Sequence, residues 1–458
     1  MPRRDWPAWA QPSSISDLLR LAGPIAVSRA SMMLMGLTDT IVLSQNAVGE
    51  LPYILMSWFP IGIVLGLSMG LLLGVSILTA EMSGRGEREH TGRIFRRGLY
   101  TSLVFGSVAT GIVYFGVELL FGLLGFEGDL LSGTVSASRI LALGIIAHMI
   151  SNAAGSYLEA LRRPTIVTVA MYAGVVVNLI IDLVLVAGAF GAPKMGADGV
   201  ALATTGTRWV LTFVLIFLVI VYTPGFKPSD KAPEGEGRHQ LELGYGMSAS
   251  AVAEWGSFNF TFIIATMVSA FAGTVYGMVI HTIGFVFMAF LGIGTATSVR
   301  VSEAIGNRQG AQASDAARTG IAATVIVGLF AAIVMWFASD LIASVFVSTE
   351  KKHDGLVIHP VLSSMIAFTA VVVVFDGLQN VASMASRSLG SVWPPSFIHL
   401  GCYLGIMLPV AWILGISLER GLNGVIQGVI IASVIAGIAQ LIFMDRLARK
   451  KAKSADHI

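Results

Sequence analysis

Apolar residues run through this chain in long blocks, separated by short polar clusters. A helix that crosses a membrane needs about 20 mostly apolar residues. Twelve stretches meet that length: near 17–44, 52–80, 94–122, 134–158, 164–190 and 197–222, then near 240–272, 274–302, 316–346, 358–386, 394–418 and 422–448. They are too long and too continuous for barrel strands, which alternate over about 10 residues. The pattern predicts an all-α integral membrane protein of twelve transmembrane helices.

The polar breaks divide the twelve into two sets of six. The least apolar interior stretch, from Thr223-Pro224-Gly225 through Glu234-Gly235-Glu236-Gly237-Arg238, is rich in Pro, Gly and charge. It reads as a cytoplasmic linker over 223–240 between an N-terminal lobe, 1–222, and a C-terminal lobe, 241–458. The halves also resemble each other. Ser76-Ile77-Leu78-Thr79-Ala80-Glu81-Met82-Ser83-Gly84 aligns with Ser298-Val299-Arg300-Val301-Ser302-Glu303-Ala304-Ile305-Gly306, an offset of 222 residues, and each closes an even-numbered span before a polar loop. Six spans per copy keep the copies in one orientation, so two lobes related by a pseudo-two-fold axis along the membrane normal are expected.

Composition agrees. Of 458 residues 55% are hydrophobic and 12% charged, against roughly 25% charged in soluble domains. This excludes a disordered chain and a coiled coil. A net charge of +2 offers no electrostatic grip on phosphates, so nucleic acid is not an expected partner and the lipid bilayer is. The single Cys402 excludes a disulfide framework and a cysteine-ligated metal. Gly62, Gly66, Gly70 and Gly74 recur every four residues on one face of the second span, the pattern of close packing against a neighbouring helix. With the N-terminus in the cytoplasm, 22 of the 29 Lys and Arg residues fall in cytoplasmic segments. Both termini are therefore expected there, in a multi-pass protein of the cytoplasmic (inner) membrane. No cleavable signal peptide is expected, and Trp6 and Trp9 suit interfacial anchors.

An ordered series of segments then carries a family resemblance. It comprises Leu18-Leu19-Arg20-Leu21-Ala22-Gly23-Pro24-Ile25 with Gly36-Leu37-Thr38-Asp39-Thr40, the loop from Glu81 to Glu87, Leu161-Arg162-Arg163-Pro164, Asn178-Leu179-Ile180-Ile181-Asp182, Gly199-Val200-Ala201-Leu202-Ala203-Thr204 and the stretch from Gly292 to Gly306. From about residue 17 to 445 the chain resembles the multidrug and toxic compound extrusion (MATE) transporters. The resemblance implies two lobes around a V-shaped cavity and cation-driven export of amphipathic compounds.

Ionisable residues in mid-span are costly and need a reason. Asn178 and Asp182, four apart, share a helix face, and Asp39, Asp182 and Thr204 all fall in the outer halves of their spans. Two carboxylates, an amide carbonyl and a hydroxyl are oxygen ligands suited to Na⁺, and a carboxylate pair out of water is equally a proton acceptor. The competing reading is a structural hydrogen-bond cluster; the resemblance implies cation coupling at Asp39, Asn178, Asp182 and Thr204. Glu254 and Asp376 form a second candidate pair, with amide oxygens from Gln379 or Asn380 but not both, since neighbours point apart. The resemblance implies a cation site there in some members. Arg29 requires an unidentified partner, His281 is a weaker proton-linked candidate, and Glu159, at a cytoplasmic helix end, is expected to be solvated. Enzyme motifs and a phosphate-binding loop are absent. The expectation is a monomeric secondary exporter of amphipathic, drug-like organic cations, not an enzyme, with no cofactor beyond its coupling ion, Na⁺ or H⁺. The alternative is a flippase for a lipid-linked precursor.

The topology makes a direct prediction. In a Cys402-free background a cysteine at Lys352 should react with an impermeant reagent on intact cells, and one at Arg308 should react only after lysis. The reverse pattern would invert the orientation.

Overall fold

The computed structural model describes residues 12–230, 232–350, 352–353 and 356–455; Trp6 and Trp9 lie outside them. Six spans occupy the first half: α1 (Pro12–Asn46), α2 (Leu51–Leu71) with α3 (Leu73–Gly84), α4 (Gly92–Leu123), α5 (Gly128–Ala142) with α6 (Ile145–Ala160), α7 (Pro164–Leu185) and α8 (Gly196–Tyr222). The second half begins with α9 (Glu236–Val268), α10 (Ala270–Gly306) and α11 (Gly310–Phe337), followed by a short α12 (Ser339–Phe346) and a two-residue hairpin, β1 (Lys352–His353) and β2 (Leu356–Val357). It continues with α13 (Ile358–Phe368) and α14 (Ala370–Ser388), which form one span bent by 44°. The eleventh span runs through α15 (Trp393–His399) and α16 (Leu408–Trp412) to Ser417, with wide π-helical turns at Leu400–Met407 and Ile413–Ser417, and α17 (Gly421–Ala455) is the twelfth. The fold is all-α and membrane-integral, twelve spans in two lobes of six. Ile112, Phe115, Leu119 and Leu123 make an exposed apolar stripe along α4, as a lipid-facing helix requires.

Three expected spans differ in detail. The fourth starts earlier and breaks at Leu143–Gly144, where the Leu143 and Gly144 amides turn back to the Ile140 and Leu141 carbonyls. The fifth stops at Leu185 rather than 190, because Gly188 and Phe190 take left-handed backbone. The ninth stops at Phe337, and the rest of that apolar block forms the separate α12.

The repeat recurs in backbone geometry. At the end of α3, Gly86 is left-handed, with Gly86 N–H donating to Ser83 O (3.2 Å) and Glu87 N–H to Met82 O (3.0 Å). Residues 222 further on repeat this at the end of α10: Arg308 is left-handed, Arg308 N–H reaches Ile305 O (3.0 Å) and Gln309 N–H reaches Ala304 O (2.9 Å). The ends of α6 and α14 match in the same way, with Arg162 and Gly390 left-handed and Arg163 N–H and Ser391 N–H closing onto Leu158 O and Ser386 O. This termination satisfies carbonyls that the helix leaves open.

By packing, the described chain divides into two compact units. The first is Val27–Ser248; the second is Ala249–Ile458 with the chain up to Ala26. Within the second, a Cβ on Gly292 would stand 2.7 Å from Ala22 O, and Arg300 Nη1 donates to Ser14 O (2.9 Å). These contacts tie the start of α1 to α10. Within the first, Gly225, Lys227, Ser229 and Glu236 of the stretch between the halves lie against the start of α4. Arg96 donates to Lys227 O (2.7 Å) and Ser229 Oγ (2.7 Å), and Glu236 takes Arg93 (3.1 Å) and Arg97 together.

The glycine ladder divides in use. A Cβ on Gly74 would sit 2.2 Å from Gln240 O, and one on Gly70 would sit 2.6 Å from Ser248 N, so α9 packs backbone to backbone there; Gly62 has open space. Gly74→Ala should therefore overpack the site and cost about 1–3 kcal/mol. Gly62→Ala should be neutral or slightly stabilising, within roughly 1 kcal/mol. Thermal unfolding of the two purified variants, followed by monodispersity, checks the contrast.

Candidate functional site

In the first unit three helices bring the expected oxygen groups together. Asp39 lies seven residues before the end of α1, Asp182 three before the end of α7, and Thr204 eight after the start of α8. The start of α8 is fixed by Glu50, whose Oε2 accepts Ala197 N–H (2.8 Å), a negative charge on a helix N-terminus. A Cβ at Gly196 would stand 2.0 Å from that oxygen, so the cap requires glycine there. Thr204 Oγ1 then donates to Asp39 Oδ2 (2.8 Å). The Asp39 and Asp182 carboxyls and the Asn178 amide face one another. Asp39, Asn178, Asp182 and Thr204 are all buried. Asp39 Oδ1, both Asp182 oxygens and both Asn178 polar atoms lack a hydrogen-bond partner among the described residues. Two carboxylates in this position repel unless a proton or a cation lies between them. The donor set fits a small hard cation or a shared proton.

Asp39 and Thr204 also line a cavity of about 130 Å³ within this unit. Arg29, His148, Asn152 and Arg208 contribute polar groups to it, and Trp58 and several methionines its apolar wall. A larger hollow, about 520 Å³, opens on the surface at Glu118 and Arg139 and contains none of the buried acids.

Glu159 corrects the expectation from sequence. It is not solvated at a helix end but fully buried, and it is the partner that Arg29 needed: Arg29 Nη2 reaches Glu159 Oε2 at 2.9 Å. The last turn of α6 is covered on the Glu159 side by α1, whose Arg29 reaches across to it, and the chain then leaves through the left-handed Arg162.

In the second unit Glu254 and Asp376 are buried. Gln379 Nε2 donates to Glu254 Oε1 (2.6 Å), and the Tyr403 and Ser433 hydroxyls sit beside Asp376. Of the two expected amides only Gln379 joins the pair. Asn380 turns toward α10, where its Oδ1 would meet a Cβ at Gly294 at 2.9 Å. His281 is exposed on α10 and makes no hydrogen bond or ion pair among the described residues.

Sequence reasoning did not single out Arg208, His148 or Asn152. A signal was present: Arg208 lies one turn beyond Thr204, and His148 and Asn152 are themselves four apart. It also missed Arg387, buried on α14, which donates to the hydroxyls of Ser250 (2.7 Å), Ser396 (2.9 Å) and Ser383.

Comparison with known proteins agrees with this architecture. The MatE family model matches residues 24–184 and 247–413. A probable multidrug resistance protein NorM from Caulobacter vibrioides is 32% identical over 97% of this chain and 94% of its own. Multidrug resistance protein PmpM from Pseudomonas aeruginosa is 25% identical over 96% and 92%. Among solved structures, the outward-facing conformation of a multidrug resistance MATE family transporter of the MOP superfamily superposes with a TM-score of 0.85 at 20% identity, over 97% of each chain.

The buried ion pair yields a prediction. Removing one partner leaves an uncompensated charge, at about 3–5 kcal/mol. Arg29→Met and Glu159→Leu should each lower the unfolding temperature sharply, while the double variant should recover much of the loss. Additive losses in the double variant would show that the pair is not coupled.

Proposed function

Because this chain belongs to the MATE family of multidrug efflux transporters, and is a transporter rather than an enzyme, we propose that it expels amphipathic organic cations and related drugs across the cytoplasmic membrane in exchange for entering Na⁺ or H⁺. In this reading both termini are cytoplasmic and the working unit is a monomer.

One observation carries the coupling. Asp39 and Asp182 face each other out of water, and among the described residues no donor reaches three of their four carboxyl oxygens. Coupling requires that ion and drug favour different states of one protein; an ion with equal affinity for both drives nothing. An ion or proton arriving from outside neutralises the pair, and α1, α7 and α8 then repack around Asn178. Asp39 and Thr204 belong to the cavity wall as well as to the pair, so that repacking reshapes the space available to the drug. Exchanging one monovalent ion for one monovalent organic cation moves no net charge, so the ion's concentration gradient drives it; a second ion per drug would add about 2.3 kcal/mol at 100 mV, worth roughly 50-fold in the drug gradient. Glu254 and Asp376 provide a second ion position in the other unit.

Dye uptake into everted vesicles, the equivalent of export from the cell, under imposed Na⁺ and pH gradients tests this. Asp39→Asn and Asp182→Asn, matched for expression, should each lose ion-driven efflux by at least about tenfold, because an amide keeps the volume and removes the charge. Asn178→Ala should mainly lower apparent ion affinity. Glu254→Gln should weaken coupling while leaving measurable efflux. Normal gradient-driven efflux by well-expressed Asp39→Asn would refute coupling at the first pair and shift it to Glu254 and Asp376.

A further inference from the structure

The cavity of the first unit holds polar groups that the ion-coupling scheme does not use. Arg208 is 6% exposed. Its side chain makes no hydrogen bond or ion pair with any described residue, and its Nη1 is buried without a partner. The guanidinium lies over the ring of Trp58, 5.3 Å from the centroid. Gly144 gives it room: a Cβ there would stand 3.1 Å from Arg208 Cδ and 3.3 Å from Nη1. Two further buried nitrogens, His148 Nε2 and Asn152 Nδ2, line the same cavity without partners. Arg29, the other cation in the wall, is already held by Glu159.

A guanidinium kept from water without a bonded anion is a costly arrangement, and here it faces an open space rather than packed protein. Its planar fork matches a carboxylate. Trp58, Met35, Met69 and Met171 offer an adaptable apolar wall for an aromatic body. Asp39 lines the same cavity and acts on Arg208 through space by its charge, but makes no hydrogen bond or ion pair with it among the described residues, so the fork of the guanidinium keeps its donors.

We infer that Arg208 is a specificity-determining residue that receives the carboxylate of an aromatic zwitterion, so that this cavity takes compounds with a free carboxylate in preference to their esters. The inference rests on the export reading above and narrows its substrate class.

Rhodamine B, which carries a delocalised cation and a free carboxylate, and its methyl ester differ only at the proposed contact. Their binding to the purified full-length protein in detergent, read by fluorescence polarisation, tests the contact directly. A charge-assisted bond to a buried group corresponds to about tenfold or more in affinity. Wild type should bind the acid at least about tenfold more tightly than the ester. Arg208→Gln should bring the ratio close to one, and Arg208→Lys should keep part of it. If Arg208→Gln does not yield monodisperse protein, the wild-type ratio and a lowered ratio in Asn152→Ala decide the matter. Equal affinities in wild type, or an unchanged ratio in a folded Arg208→Gln, overturn the proposal. So does a variant whose ion dependence shifts for both dyes while the ratio stays, since Arg208 would then be only a counter-charge to Asp39. Failure of cells to expel either dye, with the acid preference intact in binding, would refute export and leave the carboxylate site standing.

Discussion

Inside a hydrocarbon layer a peptide group has no water to bond, so a spanning segment must satisfy its own backbone. Most of this structure follows from that demand. It selects helices throughout the twelve spans, and it governs how they end. Among the described residues six spans close with a left-handed residue that folds the last amides back onto open carbonyls, at Gly86, Gly125, Arg162, Arg308, Gly390 and Glu419. It also governs where helices bend, since α5 and α6 part only where the Leu143 and Gly144 amides find carbonyls one turn back. Many serine and threonine hydroxyls inside the spans obey the same rule and bond a carbonyl three or four residues earlier, as Ser57, Ser68 and Thr297 do. Other buried hydroxyls, such as those of Ser76, Thr79 and Ser138, lack a partner among the described residues too; what sets Asp39 and Asp182 apart is that two carboxyls face each other there, which is why they draw the functional reading.

The twelve spans were legible in the sequence because hydrophobicity over 20 residues is a local property. The polar constellation was legible in part for the same reason: Asn178 and Asp182 share a face by spacing alone, and depth could be counted along each span. What could not be read depends on distant partners. The Arg29–Glu159 pair joins residues 130 apart in sequence, so Glu159 looked like an ordinary helix-end carboxylate until α1 was laid beside α6. Arg208 was hidden because its meaning lies in a vacancy left by Gly144 and in the ring of Trp58, neither of which is its sequence neighbour. The breaks at Gly144, Ala338 and Thr369 were equally invisible, since each interrupts an apolar block without changing its hydropathy.

The matched helix ends allow the two halves to be compared position by position. From Arg162 to Gly390 the offset sets His148 against Asp376, Ser151 against Gln379, Asn152 against Asn380 and Glu159 against Arg387. The same scaffold positions therefore keep an asparagine in both halves but exchange a histidine, His148, for an acid, Asp376. The charge at the matched helix ends is reversed: Glu159 answers the guanidinium of Arg29, while Arg387 is held by serine hydroxyls. The halves share a frame and have diverged in the side chains they place on it.

The contact between Ala22 and Gly292 bears on how the chain is made. Its two sides lie 270 residues apart, and a ribosome adding about 5–20 residues per second needs roughly 14–54 s to cover that distance. Throughout that interval the leading part of α1 has no native neighbour at this face. It must be kept by lipid or by the insertion machinery, and it settles only when the tenth helix emerges. Assembly of this protein is therefore not a simple march from the first lobe to the second: its opening segment is among the last to find its place.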